Sequence, residues 1–189
     1  DAVVSRGLGD VYKRQSLDNG EELSFDKLVC ATHADQTYKM ITDITDEERL
    51  ILEPWEYSRN RTVLHTDSSF MPPSKNAWAC WNYIKNKGSK DEDNVSVTYY
   101  MNRLQGLSTN NDYLVTLNPV TEIPKDKIIY ETVYTHPKYT QQSLATQKNI
   151  NDVSGKENVF FCGSYCRYGF HEDAVLSAVN VAKKLGCDL

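Results

Sequence analysis

The last third of the chain has the clearest pattern of apolar and polar positions. Residues 159–162 are apolar throughout and end at Gly163, which predicts a short buried strand. A loop with a second glycine, Gly169, follows, and a helix is predicted to begin at His171 or Glu172. The apolar positions of this helix recur on one face: Ala174, Ala178, Val181, Ala182 and Leu185. A strand, a glycine loop and a helix start together form a place where backbone N–H groups can point at a ligand.

The segment before residue 55 has the pattern of a hairpin followed by two short helices. Asp18-Asn19-Gly20 is a strong turn signal, and the second strand of the hairpin is predicted over residues 25–31. The first helix is predicted to open at residues 32–35 and to end near Met40. Thr45 or Asp46 can cap the second helix.

The pattern between residues 55 and 135 is that of a β-sheet. Five runs are rich in β-branched and aromatic residues: Tyr57–His65, 77–84, 95–101, 113–117 and 128–134. The charged run 85–93 is typical of a solvated hairpin tip. Beyond the sheet, Thr140 can cap a helix that ends near Val153. We therefore expect two pieces of one domain with an antiparallel sheet inserted between them.

The first fifteen residues do not continue this pattern. Gly7-Leu8-Gly9 resembles the start of a dinucleotide-binding fingerprint, but Tyr12 stands at the third glycine position, and only Ala2-Val3-Val4 precede it as an apolar run. Such a fingerprint needs a full strand before it and a helix after it. We interpret residues 1–15 as a non-native or artefactual segment and leave them out of the fold prediction.

Composition and charge narrow the classes of function. A net charge of −5 at pH 7 disfavours nucleic acid and anionic membrane surfaces as partners. No window approaches the roughly 18 uninterrupted apolar residues of a transmembrane helix. The cysteine count of five is odd and most of the cysteines lie within apolar patterns, which favours free thiols in a reducing compartment. We therefore expect a cytoplasmic protein that acts on a small molecule, and its oligomeric state stays open.

Several short segments together resemble one family. They are FDKLVCATHADQ, LHTD, AWACWNY, YYMNRLQ, VTLNP, HPKY and FCGSYCRYGFHED. Through them the chain from residue 16 to residue 186 is similar to FAD-dependent oxidoreductases of the flavin-containing amine-oxidase superfamily, and within it to a bacterial branch of predicted NAD/FAD-binding proteins. The resemblance departs from the family at Ala174, where glycine is frequent, and in the N-terminal GxGxxG segment, which is absent. Because family members are longer, it implies a C-terminal fragment.

The resemblance implies an α/β (α+β) fold of two parts. A partial, split FAD-binding Rossmann-like domain is expected at residues 16–53 and 136–189, and an antiparallel-sheet substrate domain at residues 54–135. It also implies FAD as the cofactor and oxidation of a C–N or C–C bond by hydride transfer to the flavin. The substrate would be an amine or lipid-like, and desaturation or isomerisation of a lipid-like substrate stays open. An alternative is that the chain alone is a β-rich binding module without activity, and an NAD-only protein is a third.

The resemblance places the cofactor against the last strand, loop and helix. The helix start at Glu172, Asp173 and Ala174 would stabilise negative charge on a reduced flavin. Gly163 and Ser164 would lie beside the ribityl chain and the phosphates, because glycine permits a close backbone approach and a hydroxyl can donate to a phosphate. The remaining expected cofactor contacts are Ala31, Thr32 and His171.

The middle sheet supplies the candidate substrate contacts. Trp81 and Tyr83 belong to one strand-like run, and Asn102 and Arg103 follow the next run. Arg103 could hold an anionic group of a substrate. Trp78 and Trp81 are three residues apart and would lie on opposite faces of a regular strand, so at most one of them faces a cavity.

No catalytic residue stands out. His65 and Asn82 are weak candidates, and His65 could be a base oriented by Asp67. Cys162 and Cys166 lack the second pair of ligands that zinc requires, so no metal site is predicted. The lack of an obvious catalytic residue is consistent with a flavin enzyme, because the cofactor performs the chemistry in such an enzyme.

Overall fold

In a computed structural model of the chain, residues 2–5, 13–84 and 96–187 are described. The chain divides into two compact units. Unit 1 consists of Asp1–Ser58 and His136–Leu189, and unit 2 of Arg59–Thr135. The expected hairpin tip at residues 85–93 and the glycines at positions 7 and 9 lie outside the described residues. The assignment of cofactor binding to one part of the chain and substrate binding to the other stays a prediction.

The described residues form a mixed set of strands and helices. The strands are β1 (Ala2–Ser5), β2 (Lys13–Leu17), β3 (Glu22–Phe25), β4 (Leu28–Cys30), β5 (Tyr57–His65), β6 (Trp81–Ile84), β7 (Ser96–Tyr100), β8 (Leu114–Leu117), β9 (Ile128–Pro137) and β10 (Val159–Phe161). The α-helices are α1 (Ala34–Met40), α2 (Asp46–Leu52), α3 (Met101–Gln105), α4 (Gln141–Val153) and α5 (His171–Lys184).

Unit 1 begins with a three-stranded antiparallel sheet of order β1-β2-β3. The predicted turn at Asp18-Asn19-Gly20 joins β2 to β3, and the Gly20 N–H donates to the Leu17 carbonyl at 2.9 Å. Val4 is buried, and its carbonyl accepts from the Thr42 N–H at 2.9 Å. Leaving residues 1–15 out of the fold was therefore wrong for β1 and the start of β2, because β1 pairs with the edge of the hairpin. The non-native origin of this segment stays a prediction.

The single strand expected over residues 25–31 is wrong, since the structure has two strands there. β3 ends at Phe25, Asp26 and Lys27 follow, and β4 begins at Leu28. β3 pairs with β2, whereas β4 pairs in parallel with β10, with Leu28 opposite Val159. The chain changes sheets at this point, so the two segments have different partners.

The helix starts of unit 1 confirm the predicted capping residues. The Thr45 hydroxyl accepts from the Glu48 N–H and begins α2, while the Thr140 hydroxyl accepts from the Ser143 N–H and begins α4. α4 ends at Val153, and Gly155 then adopts a positive φ of 103°. Each cap depends on residues three positions apart, which is why the pattern alone predicts it.

The apolar core of unit 1 is centred on Trp55. The indole is 2% exposed and its N–H donates to the Thr146 hydroxyl at 3.1 Å. The rings of Tyr139 and Tyr165 each meet it edge-on, with centroids 5.6 Å away. The same core includes Phe161 of β10, so the parallel strand pair rests on it.

The face of α5 that is buried differs from the predicted one. The buried residues are Asp173, Ser177 and Val181, whereas Ala178 is exposed. The Ser177 hydroxyl accepts from the Gly163 N–H at 2.9 Å and donates to the Ala174 carbonyl at 2.7 Å. Polar side chains are buried on this face because they form hydrogen bonds with the preceding loop. The pattern of apolar residues along the sequence does not reveal that role.

The antiparallel sheet predicted for the middle of the chain is confirmed. It has the strand order β6-β7-β8-β5-β9, and the pairs β6–β7, β7–β8 and β5–β8 are antiparallel. Several predicted strand boundaries are wrong: β8 begins one residue later than predicted, and β9 continues to Pro137. A 3₁₀ turn at Lys75–Ala77 precedes Trp78, so β6 begins only at Trp81, and β7 stops at Tyr100 because Met101 begins α3.

The two faces of this sheet differ in burial. One face carries a buried row across four strands: Val63, Thr116, Thr98 and Asn82. The opposite face carries a row that is half-buried or exposed: Leu64, Val115, Tyr99 and Trp81. We call this second surface the open face.

Candidate functional site

The carboxyl ends of β4 and β10 lie side by side in unit 1, because these strands are parallel and in register. The Cys162 N–H donates to the Cys30 carbonyl at 3.1 Å. Ala31 and Thr32 follow β4, and residues 163–164 follow β10, so the pairing brings these four predicted cofactor residues to one edge. In open α/β sheets, ligands bind at the carboxyl ends of the strands.

Gly163 packs closely against Tyr165 and Thr32 at this edge. A Cβ atom placed on it would lie 2.6 Å from Cε1 of Tyr165 and 3.5 Å from the Thr32 carbonyl oxygen. The Gly163 N–H is already bound to Ser177 of α5, and its carbonyl accepts from the Cys166 N–H at 3.1 Å. The N–H and the carbonyl of Gly163 are therefore both engaged within the protein. The Ser164 hydroxyl has no partner among the described residues, so it is available to donate to a ligand.

Asp173 organises the start of α5 and the glycine loop before it. Its Oδ2 accepts from the N–H groups of Phe170 at 3.0 Å and Tyr168 at 3.2 Å. Arg167 Nε lies 3.7 Å from Oδ1. The carboxylate is buried and committed to these loop groups, so Asp173 holds the helix start in place.

The first turn of α5 leaves backbone N–H groups available. The N–H groups of Asp173 and Ala174 reach the Phe170 carbonyl at 3.1 and 3.2 Å. His171 and Glu172 are exposed, and within the described part of the chain their N–H groups have no acceptor. Such groups carry the partial positive charge of a helix N-terminus. The predicted contacts at His171 and Glu172 therefore lie where an electron-rich ligand atom is stabilised.

The thiols of Cys162 and Cys166 and the phenol of Tyr165, which follow β10, are chemically unreactive. Burial raises the pKa of the Cys166 thiol to about 12 and also raises the pKa of Cys162 above its ordinary value. A protonated, buried thiol is a poor nucleophile and a poor metal ligand. Burial likewise raises the pKa of Tyr165, and its hydroxyl is buried without a hydrogen-bond partner in the described part of the chain.

Unit 2 has an apolar cavity of about 360 Å³ beside the open face. It is lined by Leu64, Met101, Gln105, Leu107, Tyr113 and Val115. None of the predicted substrate residues is among them, so sequence reasoning missed this cavity. The register of β5 against β8, which pairs Leu64 with Val115, is the signal that defines it, and that register is known only from the fold.

The C-terminal part of the chain matches a known protein family. Residues 120–185 match the family described as flavin containing amine oxidoreductase. This stretch contains β10, the glycine loop and all of α5. This stretch is similar to proteins of the flavin amine-oxidase-like superfamily. The match implies a flavin cofactor.

Solved structures share the fold of nearly the whole chain. A CLA-producing fatty acid isomerase from P. acnes matches 96% of the chain with a TM-score of 0.62 and 11% identity. Reduced UDP-galactopyranose mutase matches 92% with a TM-score of 0.59 and 14% identity. The chain spans 46% and 44% of these two structures. No curated protein sequence matches it.

The predicted substrate residues fall into two groups. Trp81 and Tyr83 lie on the open face and are 61% and 62% exposed. Asn102 is buried: its amide donates to the Asn111 carbonyl at 2.7 Å, and its Oδ1 accepts from the Tyr113 N–H at 2.7 Å. Arg103 donates to the Trp78 carbonyl at 2.9 Å. Asn102 and Arg103 thus support the loops around the cavity, and a substrate role for any of the four stays a prediction.

The two weak catalytic candidates lie on the buried face of the sheet. Asn82 Nδ2 donates to the Ala79 carbonyl at 2.7 Å. His65 Nδ1 accepts from the Asp67 backbone N–H at 3.1 Å, so Nε2 carries the proton and donates to the Thr116 hydroxyl at 2.7 Å. Asp67 contacts His65 through its backbone N–H, while its carboxylate accepts from the Ser69 N–H. A catalytic role for His65 or Asn82 stays a prediction.

The buried state of His65 makes the stability of unit 2 depend on pH. Burial lowers the pKa of His65 below its ordinary value of 6.5, although Asp67 opposes the shift. Because the unfolded chain then takes up the proton first, stability is full above pH 6.5 and falls as the pH drops below it. We expect His65→Gln to reduce the difference in unfolding free energy between about pH 7.5 and about pH 5.5, measured by urea denaturation. An unchanged difference would show that other groups cause it.

A metal site and a membrane-spanning helix each need features that the described part of the chain lacks. Among the residues that the structure describes, no three His, Cys, Asp or Glu side chains come together as metal ligands. None of the described helices has the length and apolar content needed to span a bilayer.

Proposed function

We propose that unit 1 binds FAD as part of an FAD-dependent oxidoreductase, with the flavin cofactor held at the ends of β4 and β10 and at the start of α5. The observation that carries this proposal is the in-register parallel pairing of β4 with β10. It brings residues 31–32 and 163–164 together, and the Ser177–Gly163 hydrogen bond ties α5 to the same edge.

The residues at this edge suit a large, anionic, planar cofactor. Gly163 has no side chain that could shield its backbone, which permits a close approach by a ligand. The Ser164 hydroxyl can donate to a phosphate or ribityl oxygen. The free N–H groups of His171 and Glu172 can stabilise negative charge at the ring system. Bound FAD would supply the hydride acceptor, and the chain would position it and exclude water.

The reaction we propose is oxidation of a C–N or C–C bond by hydride transfer. The substrate is an amine or lipid-like molecule. The two similar structures, a fatty acid isomerase and a UDP-galactopyranose mutase, have different activities on one fold. Isomerisation or desaturation of a lipid-like substrate on the same fold remains the second candidate, favoured by the apolar cavity of unit 2.

An FAD titration tests the proposal directly. We expect the 189-residue chain to quench FAD fluorescence in a saturable manner, and riboflavin to bind more weakly because it lacks the phosphates. Far-UV circular dichroism recorded in parallel confirms that the chain is folded. A folded chain that leaves FAD fluorescence unchanged would instead support the alternative of a β-rich module that holds no cofactor.

Asp173 offers a test of the helix start with a matched control. Asp173→Ala removes the acceptor for the Tyr168 and Phe170 N–H groups, so we expect a loss of about 1 kcal/mol in stability and about tenfold weaker FAD binding. Asp46→Ala removes an exposed acidic residue from the first turn of α2 and should leave FAD binding unchanged. Equal FAD affinities for the two variants would argue against binding at α5.

A further inference from the structure

The cavity of unit 2 has walls from three elements. Leu64 of β5 and Val115 of β8 are opposite each other on the open face and form its floor. Met101 and Gln105 of α3 form one side. The volume of about 360 Å³ falls within the range of small-molecule pockets.

The lining of the cavity offers no counter-charge to a charged ligand group. Gln105 and Tyr113 carry its polar side-chain groups, and none of the lining residues is charged. The nearby carboxylate of Asp112 is already bound, since it accepts from the Tyr100 hydroxyl at 2.8 Å and from Lys75 Nζ at 3.5 Å. Arg103 is held by the Trp78 carbonyl. An ammonium or carboxylate group buried in the cavity would lose its hydration without gaining a counter-charge, so a bound fatty acid keeps its carboxylate in solvent at the open side and inserts only its chain.

We propose that this cavity binds an unbranched aliphatic chain, so that the substrate of the oxidoreductase is lipid-like and not a cationic amine. The inference rests on the proposed function for its link to chemistry. Leucine, valine and methionine supply most of the wall, and a flexible methionine adapts to chains of different shape. Burial of methylene groups against this wall provides the binding free energy.

Two valines on the open face give a matched pair of variants. Val115 lines the cavity, whereas Val97 is half-buried on the same face, opposite Leu117 and Tyr83, and does not line it. Val115→Phe fills the cavity, and Val97→Phe adds the same side chain elsewhere on the sheet. Aromatic residues are favourable in strands, so both variants should fold.

The experiment uses cis-parinaric acid as a fluorescent probe and saturated fatty acids of increasing length as competitors, below their micelle concentrations. We expect each added methylene to strengthen competition about fourfold until the cavity is full. Val115→Phe should weaken probe binding about tenfold, and Val97→Phe should leave it unchanged. Competition that does not depend on chain length, equal effects of the two variants, or displacement of the probe by phenylethylamine as effectively as by the acids would each overturn the proposal.

FAD titrations of the same proteins separate this inference from the function on which it rests. Probe binding with the expected length dependence but no FAD binding would refute the proposed cofactor site and leave the cavity assignment standing. Normal FAD binding without length-dependent probe binding would refute the cavity assignment alone.

Discussion

Trp55→Ala is expected to lower the free energy of unfolding by about 3–5 kcal/mol, the largest effect of any single substitution considered for this chain. The indole is almost fully buried, and its removal leaves a cavity between the rings of Tyr139 and Tyr165. It also removes the hydrogen bond to the Thr146 hydroxyl. Because Tyr165 packs beneath the glycine loop, we expect FAD binding to weaken as well. Urea denaturation followed by circular dichroism measures the loss.

Trp81→Ala is the control for this experiment. Trp81 is 61% exposed on the open face, and its main ring contact is an edge-on approach to Tyr99 at 5.9 Å. Its loss should change the unfolding free energy by less than about 1 kcal/mol. If both tryptophan variants lost the same stability, the core of unit 1 would not be centred on Trp55.

Gly163→Ala is expected to weaken FAD binding more than about tenfold and to cost about 1–3 kcal/mol of stability. The new methyl group would lie 2.6 and 2.8 Å from two ring atoms of Tyr165. That ring is buried against Trp55 and cannot move without disturbing the core. The end of β10 and the start of α5 must then separate, since the Gly163–Ser177 hydrogen bond joins them. FAD fluorescence and thermal unfolding report the two effects.

Gly106→Ala separates this close contact from a general effect of glycine substitution. Gly106 has a φ of 62° and ends α3, and a Cβ there would meet nothing within 4 Å. We expect a backbone cost of about 1 kcal/mol from the left-handed conformation and no change in FAD binding. If Gly163→Ala left the FAD affinity unchanged, the cofactor would have to bind elsewhere.

Local signals in the sequence were sufficient where the interacting residues are close along the chain. The strand Tyr57–His65 has the predicted bounds, Thr45 and Thr140 cap the predicted helices, and Asp18-Asn19-Gly20 forms the predicted turn. In each case the interaction that stabilises the element spans only a few residues. Propensity and spacing therefore contain the required information.

The errors arose where distant partners decide the structure. Residues 25–31 form two strands because their partners, β2 and β10, belong to different sheets. Trp78 leaves the strand because its indole donates to the Pro72 carbonyl at 2.8 Å. Ser177 is buried because it holds Gly163. None of these partners can be identified from periodicity.

The sequence by itself determined the elements, and through its resemblance to flavoproteins it placed the predicted cofactor residues at Ala31, Thr32, Gly163 and Ser164. Only the tertiary structure decided that these two segments meet, because the parallel pairing of β4 with β10 joins residues about 130 positions apart. The structure alone also decided the apolar cavity, since it depends on the register of β5 against β8 and on the placement of α3. Pairing register is a property of the packed sheet, to which every strand contributes and which no single segment encodes.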